Sequence, residues 1–223
     1  MLAAVLGVLA FAAPPPQGNS VLTRKKGPIY SVGAAVRLGV LVGDGKRVMQ
    51  PVGFGAGITF RVHALHLGPL RLGGMLKLGH TRFLQRATLL SDTSAQPVEV
   101  RRFSALGHTD FALGPSLQLV LGRVMIEGGV GPGLGISTLV RSLGPTVSDE
   151  EEVTDVTLLV RGGGQLAIPI RNNQGILIGA AVQRYFSRKQ VVADADLDDP
   201  AALPNANPFD LVLDTFVGYQ MWF

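Results

Sequence analysis

Four histidines, His63, His66, His80 and His108, are the side chains of this chain best suited to acid–base work. A hydrolytic centre would set one of them beside a serine, with an acid to orient the imidazole. No His-x-Ser spacing occurs, and the nearest approach, His108-Thr109-Asp110, lacks the serine. These residues therefore read as polar groups of an interior or a rim, and no enzymatic activity is expected. Gly129-Val130-Gly131-Pro132-Gly133-Leu134-Gly135 has the glycine density of a phosphate-binding loop. Such a loop joins a strand to a helix, and no helical pattern follows here, so packing and sheet curvature explain the glycines better. Asp194, Asp196 and Asp198 stand at calcium-loop spacing, but the turn glycine and the distal glutamate are missing. They are weak metal candidates within a solvated acidic loop, as is the run Asp149-Glu150-Glu151-Glu152. No cofactor is implied.

What scaffold holds these residues is answered by composition. The 223 residues fit one domain; 47% are hydrophobic, only 16% are charged, and 29 are glycine. Mean hydropathy is +0.32. Beyond the first dozen residues no stretch of 18 or more runs without a charge or a glycine cluster, which argues against membrane helices. A chain too apolar for water and too interrupted for helices can still cross a bilayer as a closed sheet that pairs every backbone group internally. The formal charge of +4 does not indicate a nucleic-acid partner, because the basic residues are scattered, apart from Arg24-Lys25-Lys26. The absence of cysteine decides little.

The N-terminus reads as an export signal over residues 1–12, with the short apolar run from Leu2 to Ala13, Ala10-Phe11-Ala12 as a cleavage site, and Pro14-Pro15-Pro16 following. No Lys or Arg precedes the run. Residues 13–27 form a short segment before the first strand, and residues 28–223 form the barrel domain.

From Tyr30 onward apolar residues recur at every second position. Tyr30, Val32, Ala34, Val36, Leu38, Val40 and Val42 share one parity; Ser31, Gly33, Ala35, Arg37 and Gly39 share the other. The pattern repeats over Val52–Val62, Leu70–Leu78, Phe111–Leu121, Val124–Ile136, Val156–Ile168, Ile176–Val182 and Leu211–Phe223. That makes about eight strands with the dyad signature of transmembrane barrels. Short connections at Gly68-Pro69, Gly122-Arg123 and Asn172-Gly175 alternate with longer ones, the second and fourth by far the longest. Short turns on one side and long loops on the other is the outer-membrane arrangement, and an even strand count puts both termini on the periplasmic side.

Alternation also fits a soluble barrel with its apolar face inward. The composition of the second face decides against that. It is mostly glycine, which weakens a solvated strand, with a few ions of mixed sign: Arg37, Arg61, Arg71, Lys77 and Arg161 against Asp110, Glu127, Asp155 and Asp214. Small residues interleaved with long ions suit the narrow interior of an eight-stranded barrel, where opposite charges can pair. No apolar-parity position in the middle of the runs is ionisable, as lipid contact requires. The expected fold is all-β, a closed antiparallel up-and-down transmembrane β-barrel.

The C-terminal Gly218-Tyr219-Gln220-Met221-Trp222-Phe223 resembles the assembly signal of outer-membrane barrels, a last strand with alternating apolar positions (Tyr219, Met221, Phe223) and a terminal Phe. Residues 28–223 thus resemble the small eight-stranded outer-membrane family typified by the OmpA transmembrane domain and OmpX. The resemblance is architectural, and the chain is poorer in aromatics than that family. The interface aromatics would be Tyr30, Tyr219, Trp222 and Phe223 on the periplasmic side, with Phe83, Phe103, Phe186 and Phe209 at the other rim. The resemblance implies residence in the bacterial outer membrane, contact with its lipid and lipopolysaccharide, and delivery by the barrel-assembly machinery. A monomer is expected. The acidic loop could bridge through cations to lipopolysaccharide, and Arg101-Arg102 could meet lipid phosphates. The expected role is structural or surface-interacting, through long extracellular loops over a plugged lumen. A small pore for ions or solutes is the alternative, and a lipid-modifying enzyme a weaker one.

Overall fold

The structure, a computed structural model, describes residues 29–42, 49–85, 103–122, 124–142, 150–186 and 210–223. The export signal, the 13–27 segment, Asp194, Asp196, Asp198, Arg101-Arg102 and Phe209 lie outside these residues.

Eight antiparallel strands follow in chain order: β1 (Ile29–Val42), β2 (Met49–Leu67), β3 (Leu70–Gln85), β4 (Phe103–Leu121), β5 (Val124–Ser142), β6 (Glu150–Arg171), β7 (Gln174–Tyr185) and β8 (Leu211–Trp222). Each pairs with its sequence neighbour, and β8 returns to β1 to close the ring. The closing seam runs from Ser31 opposite Trp222 to Val42 opposite Leu211. Several strands extend beyond their strictly alternating stretch. In particular, Glu150, Glu151 and Glu152, expected in an acidic loop, belong to β6, where Glu151 lies opposite Arg141. Pairing with an already long β5 recruits them into the sheet.

The tight connections form where glycine permits them. Leu67 pairs directly with Leu70 across Gly68-Pro69, and Leu121 with Val124 across Gly122-Arg123. Gly68 and Gly122 take φ of 64° and 60°, the left-handed conformation required at the first position of a two-residue hairpin loop of type I′ or II′. The ladder between β4 and β5 skips residues 113–115, close to Pro115 and to Pro132 on the facing strand, neither of which has an N–H to donate. Gly114 and Gly131 let the two backbones stay close there, since a Cβ on either would collide with a carbonyl of the other strand.

The two parities separate cleanly. Exposed apolar side chains from all eight strands face outward, including Phe54, Leu78, Phe111, Leu134, Leu158, Ile178 and Val217. A soluble monomer rarely carries a continuous apolar surface of this kind, whereas a bilayer requires it. Buried inward are Arg37, Arg61, Arg71, Lys77, Asp110, Glu127 and Arg161, with Gln118, Gln165, Gln183 and Gln220 among them. The turn end of the barrel carries the three short connections, and the loop end carries the long ones.

Candidate functional site

The inward side chains stack in layers along the barrel. At the turn end Ile29, Met125, Ala167 and Trp222 form an apolar cluster. Trp222, expected among the interface aromatics, is fully buried here. It shares parity with Gln220 rather than with Tyr219 and Met221, and Gly175 leaves it room: a Cβ there would stand 2.7 Å from the indole Cη2. Tyr30 and Phe223 are exposed as expected. Tyr219 is half-buried, and its hydroxyl donates to Gln174 Oε1. At the other rim Phe186 is exposed, but Phe83 turns inward and is fully buried over Gly53.

Above the apolar cluster lies a layer centred on Glu127. Its carboxylate accepts from Gln118 Nε2 (2.6 Å), Gln165 Nε2 (2.7 Å) and Gln220 Nε2 (3.1 Å to Oε1), and Arg61 Nη1 lies 3.1 Å away. Two arginines reinforce the amides, with Arg61 Nη2 donating to Gln165 Oε1 (2.8 Å) and Arg71 Nη1 to Gln118 Oε1 (2.9 Å). Each of these two amides thus takes a hydrogen bond from a cation at its oxygen and passes one to the anion from its nitrogen. Such polarised chains strengthen one another in a low-dielectric interior.

Nearer the loop end is a lattice of two arginines and two aspartates. Arg37 donates through Nη1 to Asp110 Oδ1 and through Nη2 to Asp214 Oδ2 (2.5 Å). Arg161 Nη1 lies 3.2 Å from Asp110 Oδ2 and 2.8 Å from Asp214 Oδ2. The four side chains come from β1, β4, β6 and β8 and tie opposite walls of the ring together. Gly79 makes the space, since a Cβ there would occupy the position of Arg37 Nη1. Gln183 Nε2 donates to Asp214 Oδ2 (2.5 Å), and the Tyr185 hydroxyl donates to Gln183 Oε1. That leaves His108 Nε2, 2.6 Å from the Tyr185 oxygen, as a donor, so His108 Nδ1 accepts from Ser137 Oγ (3.0 Å).

Between the two layers Lys77 lies over the Phe216 ring, its Nζ 4.1 Å from the centroid. Of the expected lumen ions, Arg37, Arg61, Asp110, Glu127, Arg161 and Asp214 meet in ion pairs, and Arg71 reaches the network through Gln118. Lys77 makes no ion pair with a described carboxylate. Asp155 lies half-buried towards the loop end, with Oδ1 accepting from the Val156 N–H (2.9 Å).

Sequence reasoning missed the four glutamines as network members and missed two histidine–serine pairs. Ser116 Oγ is 3.3 Å from His63 Nε2, and Ser137 pairs with His108. Both are cross-strand contacts, invisible to a search for His-x-Ser in one strand. Neither serine is more than 4% exposed, and each hydroxyl is sealed inside the barrel. His80, by contrast, faces outward and meets Thr109 Oγ1 at 3.0 Å. Among the described residues no cluster of three His, Asp or Glu side chains is arranged to hold a metal ion.

A closed eight-stranded ring with an apolar exterior and an ion-paired interior defines an outer-membrane β-barrel protein. Among solved structures the chain is similar to a major outer membrane protein from Thermus thermophilus, at 15% identity and a TM-score of 0.52, covering 88% of this chain and 99% of that one. It is also similar to Ail, the attachment invasion locus protein of Yersinia pestis (14% identity, TM-score 0.45, 89% and 99% covered). A third likeness is to the outer membrane protease OmpT from Escherichia coli (8% identity, TM-score 0.42, 89% and 98% covered). These are likenesses of fold. No protein-family model matches the chain, and no curated protein matches it in sequence.

Proposed function

We propose that this protein is a non-enzymatic, monomeric outer-membrane barrel whose lumen is closed and whose role is structural or surface-interacting, exercised through the long connections at the loop end. The observation that carries the reading is the cross-bracing of the lumen. Arg37 reaches from β1 to Asp110 on β4 and Asp214 on β8, and Glu127 gathers amides from β4, β6 and β8. An eight-stranded ring is just wide enough to be filled by such side chains. Breaking one buried pair to open a path would strand an uncompensated charge, at about 3–5 kcal/mol. The apolar cluster around Trp222 adds a dry stopper at the turn end.

Such a barrel holds its loops on a rigid mount and meets lipid and lipopolysaccharide along its outer wall. Insertion would proceed through the barrel-assembly machinery, which reads the last strand. Purified, refolded protein in planar bilayers tests the closed lumen: no stable single-channel steps are expected. Reproducible unitary conductance would overturn this reading in favour of a small pore.

A further inference from the structure

The charges inside the barrel do not all cancel. Arg37 and Arg161 face Asp110 and Asp214, Arg61 faces Glu127, and Arg71, nearer the turn end, reaches Glu127 through Gln118. Lys77, at mid-barrel, meets no carboxylate among the described residues. Its side chain is buried, and its ammonium rests on the Phe216 ring rather than on a carboxylate. A cavity adjoins it, walled by Lys77, Arg61, Arg161, Glu127, Gln165 and Phe216, together with Met75, Ala181 and three glycines. The centre of a water-sized particle has ≈ 20 Å³ of room there, above the roughly 10–15 Å³ needed to hold one water.

The wall of this cavity is rich in donors. Arg161 spends Nη1 on both aspartates, while its Nη2 is buried with no hydrogen-bond partner among the described residues. Arg61 Nε is likewise buried without a partner. Three cationic side chains therefore border one small space with a single carboxylate, and that carboxylate already accepts three amides. A water molecule has two donors of its own to place and would find few acceptors. A particle that only accepts, and that carries negative charge, answers both the idle donors and the unmatched lysine.

We propose that this cavity is a binding site for a monatomic anion of the halide class, chloride in the natural setting, held by Lys77, Arg161 and Arg61. The space is too small for sulfate, phosphate or a carboxylate. Within a wall surrounded by lipid, the ion offsets the charge of Lys77 where solvent cannot. The site goes beyond the closed-lumen reading: conductance tests that reading, whereas dependence of stability on anion type tests this one.

The experiment heats the folded full-length protein in detergent in sodium chloride, bromide, sulfate or gluconate at equal ionic strength. Unfolding is followed by the gel-mobility shift of heat-modifiable barrels. Chloride and bromide should raise the midpoint over gluconate and sulfate by at least about 3 °C. In Lys77→Met, which keeps an apolar contact to Phe216 and removes the unmatched charge, the midpoint should no longer depend on the anion. Crystals grown in bromide should show an anomalous peak between Lys77 and Arg161, a readout that stands even if the variant does not fold. Equal wild-type midpoints in all four salts, an undiminished halide shift in Lys77→Met, or no bromide peak in the cavity would each overturn the proposal.

Discussion

The two polar layers of the lumen solve the same problem by different chemistry. Near the loop end, two guanidinium groups and two carboxylates cancel one another directly, across four strands. Near the turn end, a single carboxylate accepts from three neutral amides and one guanidinium, Arg61, while Arg61 and Arg71 also hold the far ends of two of those amides. The first arrangement is a charge lattice, in which losing one member strands the others. The second is mainly a shell of dipoles, in which losing one amide leaves two and the Arg61 guanidinium. Lys77 and Phe216 lie between them and belong to neither.

The sharpest way to break that comparison is Arg37→Met. It leaves Asp110 and Asp214 sharing Arg161, and the folded barrel in lipid vesicles should lose about 3–5 kcal/mol in urea titrations. The lone tryptophan of the chain, Trp222, sits in the turn-end cluster and gives the fluorescence signal. Unfolding indistinguishable from wild type would mean that the lattice braces nothing. A second test leaves every ion in place and attacks the room beneath. Gly79→Ala places a methyl at Arg37 Nη1 and should cost on the order of 3 kcal/mol, whereas Gly74→Ala on the same strand meets nothing nearer than 3.9 Å and should stay within about 0.5 kcal/mol. Equal losses from the two alanines would show that intrinsic strand preference, rather than the lattice, sets the requirement for glycine.

In the amide shell, Gln220→Leu removes one of three amide donors to Glu127 and should cost about 1–3 kcal/mol, less than Arg37→Met, by the same titration. A loss as large as that of Arg37→Met would erase the distinction between the layers. At the lattice edge, Tyr185→Phe uncouples His108 from Gln183 and should cost about 1 kcal/mol. Finally, Arg37→Met and Gln220→Leu share no partner, so the double variant should be additive to within about 0.5 kcal/mol. A larger coupling would mean that the two layers act as one network through Lys77.

Much of this was legible beforehand. The period-two alternation, the glycine-rich second face and the scattered ions of mixed sign identify a lipid-facing exterior; Arg37, Arg61, Arg71, Lys77, Asp110, Glu127, Arg161 and Asp214 are buried inside, and Asp155 is half-buried towards the loop end. Parity was also the signal for Trp222 and Phe83. Both lie on the inward parity, and grouping them with rim aromatics by residue type alone overrode it. The partners could not be read. Arg37 and Asp214 are 177 residues apart, and which inward residues meet depends on the register of every pair around the ring. The serine opposite His108 is likewise a property of the β4–β5 register and not of either strand.

The sequence by itself determined that alternate side chains point to opposite faces, that one face suits lipid, and that long and short connections alternate, because these follow from local backbone geometry and composition. Only the closed tertiary structure decided which ions pair, where glycine must make room for a guanidinium, and that Lys77 rests on an aromatic ring with no carboxylate partner among the described residues. Those outcomes depend on how eight strands stagger as the ring closes, and closure brings together side chains that no local pattern relates.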